Sequence, residues 1–536
     1  MTEISCDNLF AASRYHSLMH ALHLRKRFRT TLLSIVVATC YVSNTYAEGL
    51  PDLGEISQAE VSPHAERKAG EAIMQEIRAL EPNYLDDPEV ASYLNRIGGR
   101  LGANVENSRQ TFEFFALRDT SLNAFALPGG YIGVHTGLIL AAQSESELAG
   151  VLSHEISHVT QHHIARMIVS SSQGQIVSMI AMALAILAAR GNSDATIGAI
   201  SVGQAAGIQN QLNFSRDFER EADRIGLDLL EKSGMDVRGM GTFFERLQKF
   251  GRVYDNNAPS YLRTHPLTTE RIADMGNRIE ARPRKTVEDS LDFLLVRAKL
   301  RSELGTSVEA ISDFKQLLTT DLKGGALVGA HYGLARAHLR ARDYVDAKRE
   351  LTWLHQAPQD KFSSPMLDTL VAEVMTATGD ALGAIKSLTK AHERFPQENA
   401  ITYALIDASL MTKNYDKALS LIAEALLSFP SDAGLHERQA KTYAHMGRRV
   451  QQHRAQAEAY VLLHQLPLAI EQLTLAQKEG DGDYYENSRV DARIRQLKIQ
   501  TCDEAKLLNA GSSSFRQRRP VPAFCRFFDR ENDTKP

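Results

Sequence analysis

Two histidines four residues apart, His154 and His158 in VLSHEISHVTQHH (151–163), enclose a glutamate, Glu155. On a helix that spacing is one turn plus about 40°, so both rings lie on one face. Two imidazole nitrogens so placed can hold one Zn2+, and Glu155 can act beside them as general base on water. A bare HExxH also arises on ordinary polar helices, so a third ligand decides the reading. The HExxHxxGxxH pattern is excluded, because Gln161 and Ile164 occupy its glycine and last-histidine positions. His162 and His163 drift away from the paired face and are expected at the surface. The alternative source is a carboxylate on a later helix. FSRDFEREADRIGLDLLEKSG (214–234) puts Glu219 and Asp223 four apart on one face, with Ile225, Leu229 and Leu230 as apolar contacts. Glu219 is the candidate third ligand, and Glu221 is the next choice. Asp223 is expected to accept a hydrogen bond from a ligand imidazole and fix its tautomer.

The surrounding pattern supplies elements to hold these groups. HAERKAGEAIMQEIRAL (64–80) spaces Ala69, Ile73, Ile77 and Leu80 as one helical face. TFEFFALRD (111–119) and YIGVHTG (131–137) read as short strands of a small sheet, separated by NAFALPGG with its Pro128-Gly129-Gly130 turn signal. Helical pattern returns from Ser144 with N-cap residues. Residues 176–189 form a 14-residue uncharged apolar run, suited to a core helix, a lid, or a peripheral membrane or partner contact rather than a span. Beyond about residue 290 strand signals vanish. Ala310, Ala347, Ala384 and Ala418 recur at intervals of 37, 37 and 34, and Phe395-Pro396 and Phe429-Pro430 lie 34 apart. That recurrence resembles the tetratricopeptide repeat, although residues 447–465 fit it poorly.

The chain has 536 residues, 43% hydrophobic, with a net charge of −4, which suggests two or three domains and gives no electrostatic footprint for nucleic acid. Near the N-terminus, Arg25, Lys26, Arg27 and Arg29 precede an apolar stretch from Leu32 to Val42 and a small-residue exit at Thr45-Tyr46-Ala47. This is the layout of a signal peptide (1–47) cleaved near Ala47, with residues 1–18 a spurious extension ahead of Met19. Export leaves Cys502 and Cys525 as one spare pair, expected to form a disulfide, with two free thiols as the alternative.

SHEISHVTQHH followed by Glu219-Arg220-Glu221-Ala222-Asp223 resembles the HtpX-type zinc metallopeptidases, a group that includes the CAAX prenyl proteases and combines HExxH with a downstream ExxAD. NAFALPGGYIGVHTGLI and RTHPLTTERI (263–272) resemble that family too, and the resemblance covers roughly residues 50–500. It implies one Zn2+ per chain on His154, His158 and Glu219, with Glu155 catalytic. Combined with export and repeats, it implies a periplasmic endopeptidase of envelope quality control. Unfolded or misassembled outer-membrane proteins would be its substrates, and the β-barrel assembly machinery a partner through the repeats. Gly129, Gly130, Tyr131, Ile132 and Gly133 would form an edge strand that pairs with extended substrate; an ordinary hairpin strand is the alternative. The resemblance also allows His265 as a fourth ligand or latch, against a histidine that caps a helix or packs at the domain junction. A metal-containing chaperone or scaffold with little proteolysis is the second functional reading. The expected fold is α+β, mostly α: a zinc metallopeptidase domain with a small sheet (48–285), an α-solenoid of tetratricopeptide-like repeats (286–500) and a tail (501–536).

Overall fold

A computed structural model of the chain describes residues 62–105, 110–169, 216–253, 260–358, 361–510, 522 and 524–525. The signal-peptide stretch and the apolar run 176–189 lie outside them. The first described helix, Pro63–Leu80, is opened by Ser62, whose side chain accepts from the Ala65 amide, and buries Ala69, Ile73 and Ile77. Leu80, expected on the same face, is instead 73% exposed at the helix's last position.

Four strands make one sheet in the order β1-β2-β4-β3: Tyr84–Leu85, Glu113–Leu117, Tyr131–His135 and Ala124–Leu127. β2 and β4 run parallel, and β3 pairs antiparallel with β4. Alternation along the strands splits the core into two layers. Phe114, Ala116, Ile132 and Val134 join the main core beside Leu148, Leu152 and Ile156 of the helix Glu145–Thr160. Phe115, Leu117, Phe125 and Leu127 face Ile73, Met74 and Ile77. Helices therefore cover both faces, as a buried parallel pair requires.

Gly129–Gly133 do not form an edge strand. Gly129 (φ 78) and Gly130 (φ 92) follow Pro128 in a turn of 3-10 helix that reverses the chain and lays β4 between β2 and β3. The outer position beside it falls to Ala124–Leu127, which in the sequence only separates the two strand-like runs. Gly133 lies against the Phe125 ring, where a Cβ would collide, so its small size serves cross-strand packing.

Helix hairpins follow from Leu291. Ala310, Ala347, Ala384 and Ala418 are each at most 3% exposed, and each is the fourth residue of the second helix of a pair. In the helix Arg449–Leu462 that position is Gln452, which explains the break in spacing over 447–465; Ala469 restores it in Leu466–Ala476. The turn before each of these helices has one residue in the left-handed region: Gly305, Arg342, Gly379, Lys413, Gly447 and His464. The same turn is thus built with or without glycine, a regularity invisible to residue type. Cys502 and Cys525 are joined by a disulfide.

The repeats and the sheet-bearing part share one core, with Val296, Leu334 and Leu370 in the same apolar cluster as Leu94 and Leu152. Ion pairs reinforce it. Lys299 lies between Asp87 (2.5 Å) and Glu89 (2.6 Å), and Arg96 reaches Asp292 (2.7 Å) and Glu398. Glu145, on the first turn of the HExxH helix, accepts from the backbone and hydroxyl of Ser290. No helix among the described residues is long and apolar enough to cross a membrane.

Candidate metal centre

The helix Glu145–Thr160 carries His154, Glu155 and His158. Ser144 caps it by accepting from the Glu147 amide, and Glu145 and Glu147 place negative charge on its first turn. One side packs on the sheet, which turns the histidines to the helix Arg216–Lys232. Gly226 permits that approach: a Cβ there would stand 3.1 Å from the His154 backbone. Glu219 and Asp223 project from the same helix. His265 follows the short helix Ser260–Thr264, which is fixed beside β3 by a hydrogen bond from the Tyr261 amide to the Leu122 carbonyl (3.2 Å).

Donor atoms of His154, His158, Glu219 and His265 all lie within 4.8 Å of one another. His154 Nε2 is 3.0 Å from His158 Nε2 and 3.5 Å from Glu219 Oε2; Glu219 Oε1 is 3.5 Å from His158 Nε2. His265 Nδ1 is 3.0 Å from Glu219 Oε1 and 3.4 Å from His154 Nε2. Tetrahedral ligands at ordinary zinc distances stand ~3.3 Å apart. The cluster therefore fits a divalent ion with nitrogen and oxygen ligands. Glu155 fits as a neighbour of such an ion rather than a ligand: it is buried, and neither carboxylate oxygen has a hydrogen-bond partner among the described residues. All five groups are at most 1% exposed.

Asp223 Oδ1 lies 3.1 Å from His154 Nδ1, an ion-pair contact that favours a proton on Nδ1 and makes Nε2 the nitrogen turned to the cluster. Arg271, 3% exposed, binds Asp223 with two nitrogens (2.7 and 2.8 Å), Glu219 with a third (2.8 Å), and the Pro266 carbonyl (2.7 Å). Electrostatics follow from this packing. Burial alone would lower the His154 pKa, but its bonds to Asp223 and Glu219 push it up to about 10. Burial and the adjacent His154 hold His158 well below its ordinary value. Burial opposes ionisation of Glu219, yet His265 and His154 hold its carboxyl well below the usual range.

His163 does not behave as a surface residue. The first helix ends at Thr160, His162 takes a left-handed conformation (φ 51), and a new helix begins at His163. That break swings the His163 ring inward, fully buried, to 2.9 Å from His158 Nδ1. His162 stays partly exposed and bonds Glu66 (3.0 Å). Glu221 faces His163 and Arg166 rather than the cluster. Three further residues escaped the sequence reading. Arg271 stands six residues after His265 in RTHPLTTERI. Tyr261 stacks on His265 at 4.7 Å. Asn123, at the head of β3, is buried with neither amide atom hydrogen-bonded among the described residues.

Residues 88–279 match the family model of peptidase family M48, and residues 375–441 match that of the tetratricopeptide repeat. A β-barrel assembly-enhancing protease of Yersinia pestis is 30% identical over 452 residues, 84% of this chain and 91% of that protein. The chain belongs to peptidase family M48. The similarly named protein of Escherichia coli K12 is 29% identical over 486 residues, 89% of this chain and 97% of its own length. Metalloprotease LoiP of the same organism is 28% identical over 262 residues, 48% of this chain and 98% of LoiP. As a member of this family the chain is a metallopeptidase, with tetratricopeptide repeats following its peptidase part.

Proposed function

We propose that the protein is an exported zinc endopeptidase that removes misfolded or stalled outer-membrane proteins in the periplasm, with its repeats docking clients or the β-barrel assembly machinery. The observation that carries this reading is the convergence of His154, His158, Glu219 and His265 around a point beside the buried Glu155 carboxylate, which has an ion-pair contact with His265 (3.6 Å) but no hydrogen bond among the described residues. Similarity to β-barrel assembly-enhancing proteases over most of the chain supports the client class. Histidine nitrogens with one carboxylate favour zinc among divalent ions. A bound zinc ion would supply Lewis-acid polarisation of the scissile carbonyl and of water. His154, His158 and Glu219 would hold it. Asp223 and Arg271 keep two of those ligands in place. Glu155 takes a proton at a carboxylate oxygen from the attacking water and returns it to the leaving amine nitrogen.

His265 completes the donor set and closes the site. Its segment is held by the Tyr261 stack and by the Pro266 carbonyl on Arg271, so release of this short stretch would open one side of the cluster. His265→Ala is therefore expected to raise cleavage of an unfolded outer-membrane barrel protein, about tenfold for every 1.4 kcal/mol by which the latch favours the closed state. The check is turnover by the purified chain, with zinc content measured alongside and a chelator control. Unchanged or slower turnover at full zinc would remove the latch. Absence of any chelator-sensitive cleavage, by wild type and variant alike, would remove the peptidase reading.

A further inference from the structure

His154 and His158 need the same thing from the protein: a proton on Nδ1 and a free lone pair on Nε2. For His154 the carboxylate beside Nδ1 is Asp223, at 3.1 Å. For His158 the group beside Nδ1 is another imidazole: His158 Nδ1 meets His163 Nδ1 at 2.9 Å, and His163 Nε2 meets Glu221 Oε2 at 3.1 Å. Only one proton fits between two ring nitrogens at that separation. A carboxylate accepts and cannot donate, so Glu221 draws the His163 proton to Nε2. That leaves His163 Nδ1 as an acceptor, which fixes the His158 proton on Nδ1 and turns its Nε2 lone pair to the cluster. The reverse arrangement would put a proton on His158 Nε2 and block it as a ligand.

We infer that His163, anchored by Glu221, is a positioning residue that sets the ligand tautomer of His158, as Asp223 does for His154. The surroundings are built to hold it. The ring is fully buried and stacked on Phe218 at 4.4 Å with an interplanar angle of 9°. Arg166 lies 4.5 Å over the other aromatic ring of that stack and 3.1 Å from Glu221. The left-handed His162 is the backbone device that brings His163 there. Metal-ligating histidines require such acceptors, and their loss typically lowers metal affinity roughly 10–100-fold.

This inference rests on His158 being a ligand, and the experiment separates the two. Zinc affinity of the full chain is measured by competition with a chromogenic chelator, together with the melting temperature of the metal-free protein. His163→Phe keeps the stacking ring and removes the acceptor; it is expected to weaken zinc binding roughly 10–100-fold with little change in metal-free melting. His163→Asn places an amide oxygen near the Nδ1 position and is expected to restore most of the affinity. Wild-type affinity in His163→Phe, or equal impairment in both variants, would overturn the role. Should His163→Phe fail to fold, nitrogen-15 spectra of the histidine rings in the zinc-loaded wild type decide: a neutral Nε2–H form of His163 supports it, any other form overturns it. Undiminished zinc affinity in His158→Ala would instead overturn the ligand assignment itself.

Discussion

Glu155→Gln should lower peptide-bond hydrolysis by about 10²–10⁴-fold, the range typical of a lost general base, and leave zinc content unchanged. The carboxylate is fully buried and neither oxygen is hydrogen-bonded among the described residues, so its ionised form contributes to the fold only a long ion-pair contact with His265 (3.6 Å). Glutamine has the same shape and opens no cavity, but its amide cannot take a proton from water. It also lies outside the group formed by His154, His158, Glu219 and His265, so the metal keeps its ligands. Three readings on one preparation check this: cleavage of an unfolded substrate, zinc per chain, and thermal unfolding. Full turnover by the variant would place the base elsewhere. A chain that acted mainly as a scaffold would keep its function in this variant, which makes the same protein the test between the two readings.

Arg271→Met is expected to produce the largest loss of stability at a single position, about 3–5 kcal/mol by the usual cost of removing one partner from a buried ion pair. Its guanidinium is 3% exposed and serves two carboxylates that are no more exposed than 4%. Methionine fills much of the volume beside Phe244 but removes the guanidinium that Asp223 and Glu219 share. The pH dependence has a definite sign. Both carboxyls are held below their ordinary values in the folded protein, Asp223 by Arg271 and His154, and Glu219 by His265 and His154. Their contribution is therefore fully present above the ordinary carboxylate range and is lost as pH falls through the folded values. The variant's deficit should be greatest near neutrality and shrink in acid. Denaturant midpoints of the metal-free proteins at neutral and acidic pH test this; a deficit that did not narrow in acid would assign Arg271 to packing alone.

Much of this arrangement is legible in residue type and spacing. HExxH at helix spacing, Glu219 and Asp223 on a second helix, and recurring alanines each carry a periodicity that survives in the fold, because side chains three or four apart share a face. Features that depend on chain reversal are not legible in that way. β4 became an inner strand because the Pro128-Gly129-Gly130 turn brings Ala124–Leu127 alongside it, and a four-residue apolar run carries no clear strand signal in isolation. His163 would lie on the wrong face of an uninterrupted helix, and only the break at Gln161–His162 brings it to His158. Arg271 is one charged residue among many in a polar helix; its partners are 48 and 52 positions earlier in the sequence. Such pairings follow from helix packing, which residue spacing does not encode.

The central claim is that His154, His158 and Glu219 hold one zinc ion. Anomalous diffraction from crystals of the purified chain, recorded on both sides of the zinc edge, tests it most directly. The account predicts one peak per chain, bounded by Nε2 of His154, Nε2 of His158 and the Glu219 carboxylate, and absent above background in Glu219→Ala. A peak bounded by Glu221 in place of Glu219, or no change in signal across the zinc edge, would contradict it.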